Sequence, residues 1–178
     1  MGFRAQRRPG PDGARLDATK QVWWRGSCGR EWQMSPRQRA AEGLGCPYCS
    51  GHRVLAGFND LASQHPELPA EWDWERNGDL GSDGIVSGSA RRVWWRCGRG
   101  HAWQISAYNR TGGVDRGCPY CGDRKALKGY NDLRTTHPKI ARERNKERNG
   151  DLKPTDVIAN SNKRVWRKCK EGHEWSAS

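Results

Sequence analysis

The chain has 178 residues and a formal net charge of +12, from 32 Lys and Arg residues against 20 Asp and Glu residues. Only 34% of the residues are hydrophobic and the mean hydropathy is −1.06, although ten Trp and 22 Gly residues are present. This composition excludes a large aliphatic core, and units of about 50–70 residues usually need disulfides, a metal or a partner to stay folded.

Residues 1–20 are predicted to form a basic, flexible arm. Arg4, Arg7, Arg8 and Arg15 lie there among Pro and Gly residues. No apolar run in the chain is long enough for a signal peptide or a membrane span, so we expect a cytoplasmic, reducing location. Seven cysteines, an odd number, with C-x-x-C and C-x-x-x-H spacings then favour metal binding over disulfides.

A tandem repeat of about 72 residues begins after the arm. The string GCPYC at Gly45–Cys49 recurs at Gly117–Cys121, GFNDL recurs as GYNDL, and ERNGDL occurs twice, all at an offset of 72. A V-W-W-R string opens each copy and is shortened to V-W-R in the last. The predicted divisions are a first repeat with its connector at 21–92, a second at 93–164 and a partial third at 165–178.

Local signals within each repeat predict a β-hairpin followed by short helices. In the second repeat, β-prone runs flank Gly98–Gly100, which suits a hairpin carrying a metal-binding turn. Adjacent strand residues face opposite ways, so one Trp of each pair should pack inward; alternatively, both rings are core. Asn131 and Asp132 are expected to cap a short helix that stops near Pro138, and Lys139–Lys146 to form another helical turn or two.

The second repeat carries a complete set of zinc ligands. Cys97-x-x-x-His101 is followed, after sixteen intervening residues, by Cys118-x-x-Cys121. Zn²⁺ prefers four tetrahedral N and S ligands, and paired ligands two or three residues apart can reach one ion from a tight turn. The spacing therefore predicts a closed structural site, and the alternative is a set of small buried side chains or a redox pair.

The first repeat departs from this pattern. Gly26 and Arg30 stand where the second repeat has its first Cys and its His. The sulfurs that remain are those of Cys28, Cys46 and Cys49. We predict His52 as the fourth ligand because C-x-x-C-x-x-H is a sterically easy turn. Glu31 as ligand, or a site without metal, are the alternatives.

The partial third repeat holds half a site. Cys169-x-x-x-His173 has the spacing of the first ligand pair, and no C-x-x-C follows it in the sequence. Three interpretations stay open: the array continues beyond this sequence, the half-site stays free of metal, or another chain completes it.

These motifs resemble the treble-clef "probable zinc-ribbon" family, whose members carry tandem copies of such a unit. The resemblance rests on V-W-W-x-C-x-x-G-H-x-W, G-C-P-Y-C, G-[FY]-N-D-L, H-P and N-G-D-L, and covers nearly all of the chain after Lys20. It implies family ligands at Cys97, His101, Cys118 and Cys121, and at Cys169 and His173 in the partial copy. The first copy matches only through Cys46 and Cys49.

The resemblance also implies a small α+β, zinc-stabilised fold. Tandem treble-clef or zinc-ribbon-like fingers, each with a β-hairpin and short helices, would share no large core. Such units are known mostly as accessory modules beside nuclease-like domains.

Basic residues concentrate around the second Cys/His cluster. Between Arg91 and Lys128, nine basic residues stand against two acidic ones. The predicted nucleic-acid-binding set is Arg91, Arg92, Arg96, Arg99, Arg110, Arg116, Arg124, Lys125 and Lys128. This charge, with interleaved aromatic residues, favours nucleic-acid binding, first of all duplex DNA through phosphate contacts with low sequence preference; RNA is the alternative.

Two other functions are considered: a protein-interaction module and an accessory targeting module of a nuclease. Trp-rich faces and the acidic stretch Gly57–Asp83, with seven acids and one Arg, would suit a partner protein. No metalloprotease motif, phosphate-binding Gly loop or nucleophile–base arrangement occurs, so we do not expect an enzyme. The oligomeric state stays open.

Overall fold

The computed structural model describes residues 19–43, 45–112 and 117–178. Nearly all of the predicted basic arm lies outside these residues, as does one member of the predicted nucleic-acid-binding set. The arginines concerned are Arg4, Arg7, Arg8, Arg15 and Arg116. Within the described part of the chain, no helix is long and apolar enough to cross a membrane.

The chain divides into two compact units. Of the described residues, the first unit comprises those up to Arg92 together with Ser106–Thr111, and the second comprises Val93–Ile105 and those from Gly112 to Ser178. The third hairpin therefore belongs to the same unit as the second Cys-x-x-Cys loop.

Within the described ranges, six short strands form three two-stranded hairpins, one in each copy of the repeat. They are β1 (Val22–Arg25) with β2 (Glu31–Met34), β3 (Arg92–Arg96) with β4 (Ala102–Ser106), and β5 (Val165–Lys168) with β6 (Glu174–Ala177). In β1 and β2, Val22 pairs with Met34 across an antiparallel register, and the third hairpin pairs Val165 with Ala177 in the same way. The predicted hairpins are confirmed.

Seven short helices and two 3-10 turns complete the described residues. The helices are α1 (Pro36–Glu42), α2 (Leu61–Gln64), α3 (Trp74–Asn77), α4 (Ala107–Thr111), α5 (Leu133–Thr136), α6 (Pro138–Arg142) and α7 (Lys146–Asn149); the 3-10 turns are Leu68–Glu71 and Pro154–Asp156. The predicted cap is observed, since the Asp132 side chain accepts from the Thr135 N–H and α5 stops at His137. The helix expected over 139–146 is instead split, because Asn145 caps a new turn at α7.

The core of each unit is small and rests on a few large side chains. The larger buried apolar side chains of the first unit are Trp32, Leu61, Leu68, Trp72 and Ile85, and those of the second are Val93, Trp95, Trp103 and Val157. Strand alternation places one Trp of each pair inward: Trp23 is 68% exposed, whereas Trp24 is half-buried and donates its Nε1–H to the Met34 carbonyl at 2.8 Å. The expected small α+β fold without a large core is therefore confirmed.

An Asn side chain ties each Cys-x-x-Cys loop to the helix that follows it. In the second repeat, the Asn131 amide donates to the carbonyl oxygens of Tyr120 at 2.9 Å and Lys125 at 3.1 Å, and its Oδ1 accepts from the Leu127 N–H at 2.8 Å. The matching partners of Asn59 in the first repeat are Tyr48, Arg53 and Leu55, at 2.7, 2.8 and 2.7 Å. We call this arrangement of Asn131, and of Asn59, the Asn clamp.

The residue after each clamp is a buried aspartate that caps a helix. Asp60 caps α2 and accepts from the N–H groups of Gly57 at 2.7 Å and Ser63 at 2.9 Å, and Asp132 makes the equivalent bonds at α5. Burial alone would raise the pKa of each carboxyl group, but the hydrogen bonds hold both pKa values below the ordinary 3.8. Both side chains are therefore ionised at neutral pH and fix the loop against the helix.

Candidate metal centres

The four predicted ligands of the second repeat come together. The ligand atoms of Cys97, His101, Cys118 and Cys121 all lie within 4.8 Å of one another. The Cys97 and Cys121 sulfurs are 3.9 Å apart, and His101 Nδ1 lies 3.7 Å from Cys118 Sγ and 3.3 Å from Cys121 Sγ. Zn–S bonds of about 2.3 Å at tetrahedral angles place sulfurs about 3.8 Å apart. These side chains therefore fit one Zn²⁺ in a closed four-ligand site.

The turn between β3 and β4 holds the first ligand pair. The Cys97 N–H donates to the His101 carbonyl at 3.1 Å, and the Gly100 N–H donates to the Cys97 carbonyl at 2.8 Å. Gly100 has a φ of 80°, a conformation that glycine adopts without steric cost. The backbone thus positions Cys97 and His101 at the end of the hairpin.

Hydrogen bonds and burial shift the pKa values of two thiols in the second site in opposite directions. Burial alone would raise the pKa of Cys97, but hydrogen bonds from the N–H groups of Arg99 and His101 lower it. Burial raises the pKa of Cys118 to about 11. A coordinated Zn²⁺ deprotonates its thiols outright, so metal binding here releases protons.

Two tyrosines surround the imidazole of His101. The ring centroids of Tyr130 and Tyr120 lie 4.2 and 5.8 Å from that of His101, in edge-on geometry. The Tyr130 hydroxyl accepts from the Arg99 guanidinium and lies 3.9 Å from Cys121 Sγ. Such outer-shell contacts orient ligands and commonly change metal affinity by about 10–100-fold. Sequence reasoning missed this role, although Tyr130 lies in the repeated G-[FY]-N-D-L string.

The first repeat brings three sulfurs together. The Sγ atoms of Cys28, Cys46 and Cys49 lie within 4.8 Å of one another. The Gly26 N–H donates to the Arg30 carbonyl at 2.9 Å and the Gly29 N–H to the Gly26 carbonyl at 3.0 Å, so this hairpin ends like that of the second repeat. The Cys28 sulfur lies 3.2 Å from the point that a Cβ at Gly26 would occupy. Cys28 therefore fills the space next to the missing first ligand.

His52, the predicted fourth ligand, is not among the residues that this cluster brings together. Its side chain is exposed, and its Nδ1 lies 2.8 Å from Ser50 Oγ. A left-handed turn at Gly51, with a φ of 75°, separates it from the Cys-x-x-Cys loop. Glu31, the alternative, forms an ion pair with Arg25 at 3.0 Å. Over the described ranges, the three sulfurs are joined by no His, Asp or Glu donor.

Two thiols of the first repeat, those of Cys28 and Cys49, differ in acidity. The pKa of Cys28 is lowered to about 7, first by a hydrogen bond from the Arg30 backbone N–H and then by Cys49. The pKa of Cys49 is raised to about 11 by its hydrogen bond to Cys28 and by burial. Cys28 therefore ionises before Cys49 as the pH rises.

The half-site of the third hairpin has the same backbone turn. The Cys169 N–H donates to the His173 carbonyl at 3.0 Å, and the Gly172 N–H donates to the Cys169 carbonyl at 3.1 Å. In the part of the chain that the structure describes, no third Cys, His, Asp or Glu donor joins this pair.

Most of the predicted nucleic-acid-binding side chains lie on the surface. The exposed members are Arg91, Arg92, Arg96, Arg99, Arg124, Lys125 and Lys128. Arg110 differs, because its side chain is only 13% exposed and its Nη2 forms an ion pair with Glu71 at 2.8 Å. Its position does not suit a nucleic-acid contact, and Arg110 instead stabilises the first unit.

We expect the purified chain to hold close to two zinc ions, one in each cluster. The second cluster supplies four ligands and the first three thiolates, both of which favour Zn²⁺, whereas among the described residues no second ligand pair joins the third half-site. Elemental analysis after extensive dialysis measures the number of ions per chain. Absence of zinc, or iron accompanied by visible absorbance, would rule out this assignment.

A family model described as a probable treble clef zinc finger domain matches three segments of the chain. They are residues 7–52, 68–124 and 140–178, together 142 of the 178 residues. Each segment contains one hairpin, and the first two end shortly after a Cys-x-x-Cys loop. The boundaries of the matched segments therefore differ from those of the predicted repeats. The first matched segment begins within the predicted arm. A search of curated proteins finds no significant match.

Proposed function

The chain belongs to the family of probable treble clef zinc finger domains, and we propose that this zinc-binding module contacts nucleic acid, above all duplex DNA through its phosphate groups. The charge of the second unit carries the proposal. Its described residues include 17 Lys and Arg side chains against 8 Asp and Glu side chains, a net charge of +9. The described residues of the first unit include 10 against 9, a net charge of +1. Such concentration of positive charge favours a polyanionic partner.

Exposed cations of the second unit lie on segments that the zinc site joins. Arg96 ends β3, Arg99 lies in the hairpin turn, and Lys125 and Lys128 follow the Cys-x-x-Cys loop. Four ligands from the turn and the loop hold these segments together. The cations therefore lose less conformational entropy on binding than they would on a free tail.

The helices favour phosphate contact over base reading. Those of the described residues contain only four to seven residues. Recognition helices usually present three or four side chains to base edges from within the major groove. We therefore propose binding with little sequence preference. The closed second site leaves no metal position for substrate, and we propose no catalytic step.

The zinc-loaded chain is expected to bind random-sequence duplex DNA with an affinity that falls steeply with salt. If about five phosphates are neutralised, the slope of log affinity against log salt should be about −4 to −5. Fluorescence anisotropy between about 50 and 200 mM NaCl measures this slope. Binding that ignores salt, or no binding to DNA or RNA at low salt, would contradict the proposal.

Two variants of equal charge change test which unit binds. The triple change Lys125→Gln, Lys128→Gln and Lys170→Gln removes three exposed charges from the second unit, and Lys20→Gln, Arg37→Gln and Arg53→Gln remove three from the first. We expect the triple change in the second unit to make the slope of log affinity against log salt shallower by about 2–3 and to weaken binding to all sequences alike. The triple change in the first unit should alter this slope by less than about 1. Equal effects would contradict the assignment to the second unit, and zinc content should stay unchanged in both variants.

A protein-interaction module is the second candidate. Trp23 is 68% and Trp74 is 57% exposed, and both lie in the unit whose described residues are nearly neutral. Large exposed aromatic rings are enriched at protein interfaces. Failure of the DNA and RNA measurements would favour this function.

A further inference from the structure

The two metal clusters differ in one ligand position. Each offers three sulfurs: Cys97, Cys118 and Cys121 in the second repeat, and Cys28, Cys46 and Cys49 in the first. His101 adds a nitrogen in the second repeat. The corresponding residue of the first repeat is Arg30, whose guanidinium carbon lies 3.3 Å from the centroid of the Phe58 ring. A permanently charged guanidinium held over a ring supplies no lone pair to a metal.

Solvent can reach the first cluster. Cys28 and Cys49 are both exposed, and only Cys46 is buried. His52 and Glu31 are engaged with Ser50 and Arg25 respectively. Zn²⁺ completes a coordination number of four with water or another small donor when the protein supplies three ligands.

We propose that the first repeat binds Zn²⁺ through the thiolates of Cys28, Cys46 and Cys49 and leaves the fourth position open to a small monodentate ligand from solution. Cys28 takes the place of the ligand that Cys97 supplies in the second repeat, although it lies two residues further along its turn. The position of the missing histidine is filled by water or by an added nitrogen or sulfur donor. The first zinc is therefore exchangeable, whereas the second has all four positions filled by protein ligands.

Imidazole added to the Co²⁺-loaded chain of 178 residues tests the open fourth position. Co²⁺ reports its ligands through visible absorption bands, and imidazole is the donor that His101 supplies in the second repeat. We expect these bands to change until imidazole saturates the site. The size of the change should correspond to one of the two bound Co²⁺ ions. Arg30→His should abolish the change, because it places an imidazole at the position equivalent to that of His101. The wild-type titration does not depend on whether the variant folds.

Zinc withdrawal provides a second readout. With 4-(2-pyridylazo)resorcinol as chelator, we expect the wild-type chain to release one zinc in a fast phase and one in a slow phase. Arg30→His should slow the fast phase by at least about tenfold, since even outer-shell changes alter zinc affinity by about 10–100-fold. His52→Ala should change neither phase, and Cys28→Ser should remove the fast-releasing ion.

Three results would overturn the proposal. A Co²⁺ spectrum of the wild-type chain that ignores imidazole would show a closed first site. Altered bands in His52→Ala would make His52 the fourth ligand. A zinc content unaffected by Cys28→Ser would show that Cys28 is not a ligand.

Discussion

Replacing Cys118 by Ser is expected to remove one zinc ion and to unfold the second repeat. Cys118 is one of three sulfurs around His101 Nδ1, 3.7 Å from it, and a hydroxyl is a poor ligand for Zn²⁺. Structural zinc contributes on the order of 10 kcal/mol in finger-sized domains, about as much as the whole stability of a small domain. The hairpin and short helices of this repeat bury too few side chains to compensate.

Elemental analysis and amide hydrogen exchange measure this effect. The zinc content should fall from about two ions to about one, and protection should be lost over 93–105 and 117–136. Cys169→Ser is the matched control, because Cys169 occupies the same place in a hairpin turn but belongs to no complete ligand cluster among the described residues. The control should keep both zinc ions and the native exchange pattern. Retention of two zinc ions by Cys118→Ser would contradict the site.

Removal of an Asn clamp is expected to have the second largest effect. Asn131 is only 8% exposed. Asn131→Ala removes the hydrogen bonds that its side chain makes with the carbonyl groups of Tyr120 and Lys125 and with the N–H of Leu127. Each bond contributes about 1 kcal/mol, and a buried unpaired group adds its desolvation cost, so we expect a loss of about 2–4 kcal/mol. The free energy of unfolding in urea at fixed zinc concentration measures it.

The two repeats provide an internal comparison for the clamp. Asn59→Ala removes the equivalent bonds from the first repeat and should destabilise that repeat similarly. Asn160→Ala, at an exposed position, should change the free energy of unfolding by less than about 0.5 kcal/mol. A loss below about 1 kcal/mol for both clamp variants would show that the loops are held in place chiefly by the metal.

Features encoded by neighbouring residues could be predicted from the sequence. The V-W-W-R strings form strands β1 and β3, Asp132 caps α5, and Cys97 and His101 lie at the end of a hairpin. In each case the determining interaction is local: strand alternation, a cap, or a turn that closes around a glycine. Ser35 at the N-cap and Pro36 at the first helical position also indicate the start of α1, but this helix was not predicted.

Features that depend on distant residues could not be predicted in this way. Arg110 looked like one more surface cation, but its partner is Glu71, which is 39 residues away in the sequence. His52 has ligand-like spacing, yet the turn at Gly51 leaves it hydrogen-bonded to Ser50. Neither a pairing across the unit nor the direction of a side chain after a left-handed turn follows from residue spacing.

The ends of the three hairpins share one backbone geometry but carry different residues. The same pair of backbone hydrogen bonds closes the turn at Gly26–Arg30, at Cys97–His101 and at 169–173, although the residues differ. The backbone frame therefore tolerates replacement of the residues that bind metal. Cys28 lies two residues further along its turn than Cys97 does along the second, yet its sulfur still joins those of Cys46 and Cys49. The closed backbone turn therefore leaves more than one position from which a sulfur can reach the Cys-x-x-Cys loop.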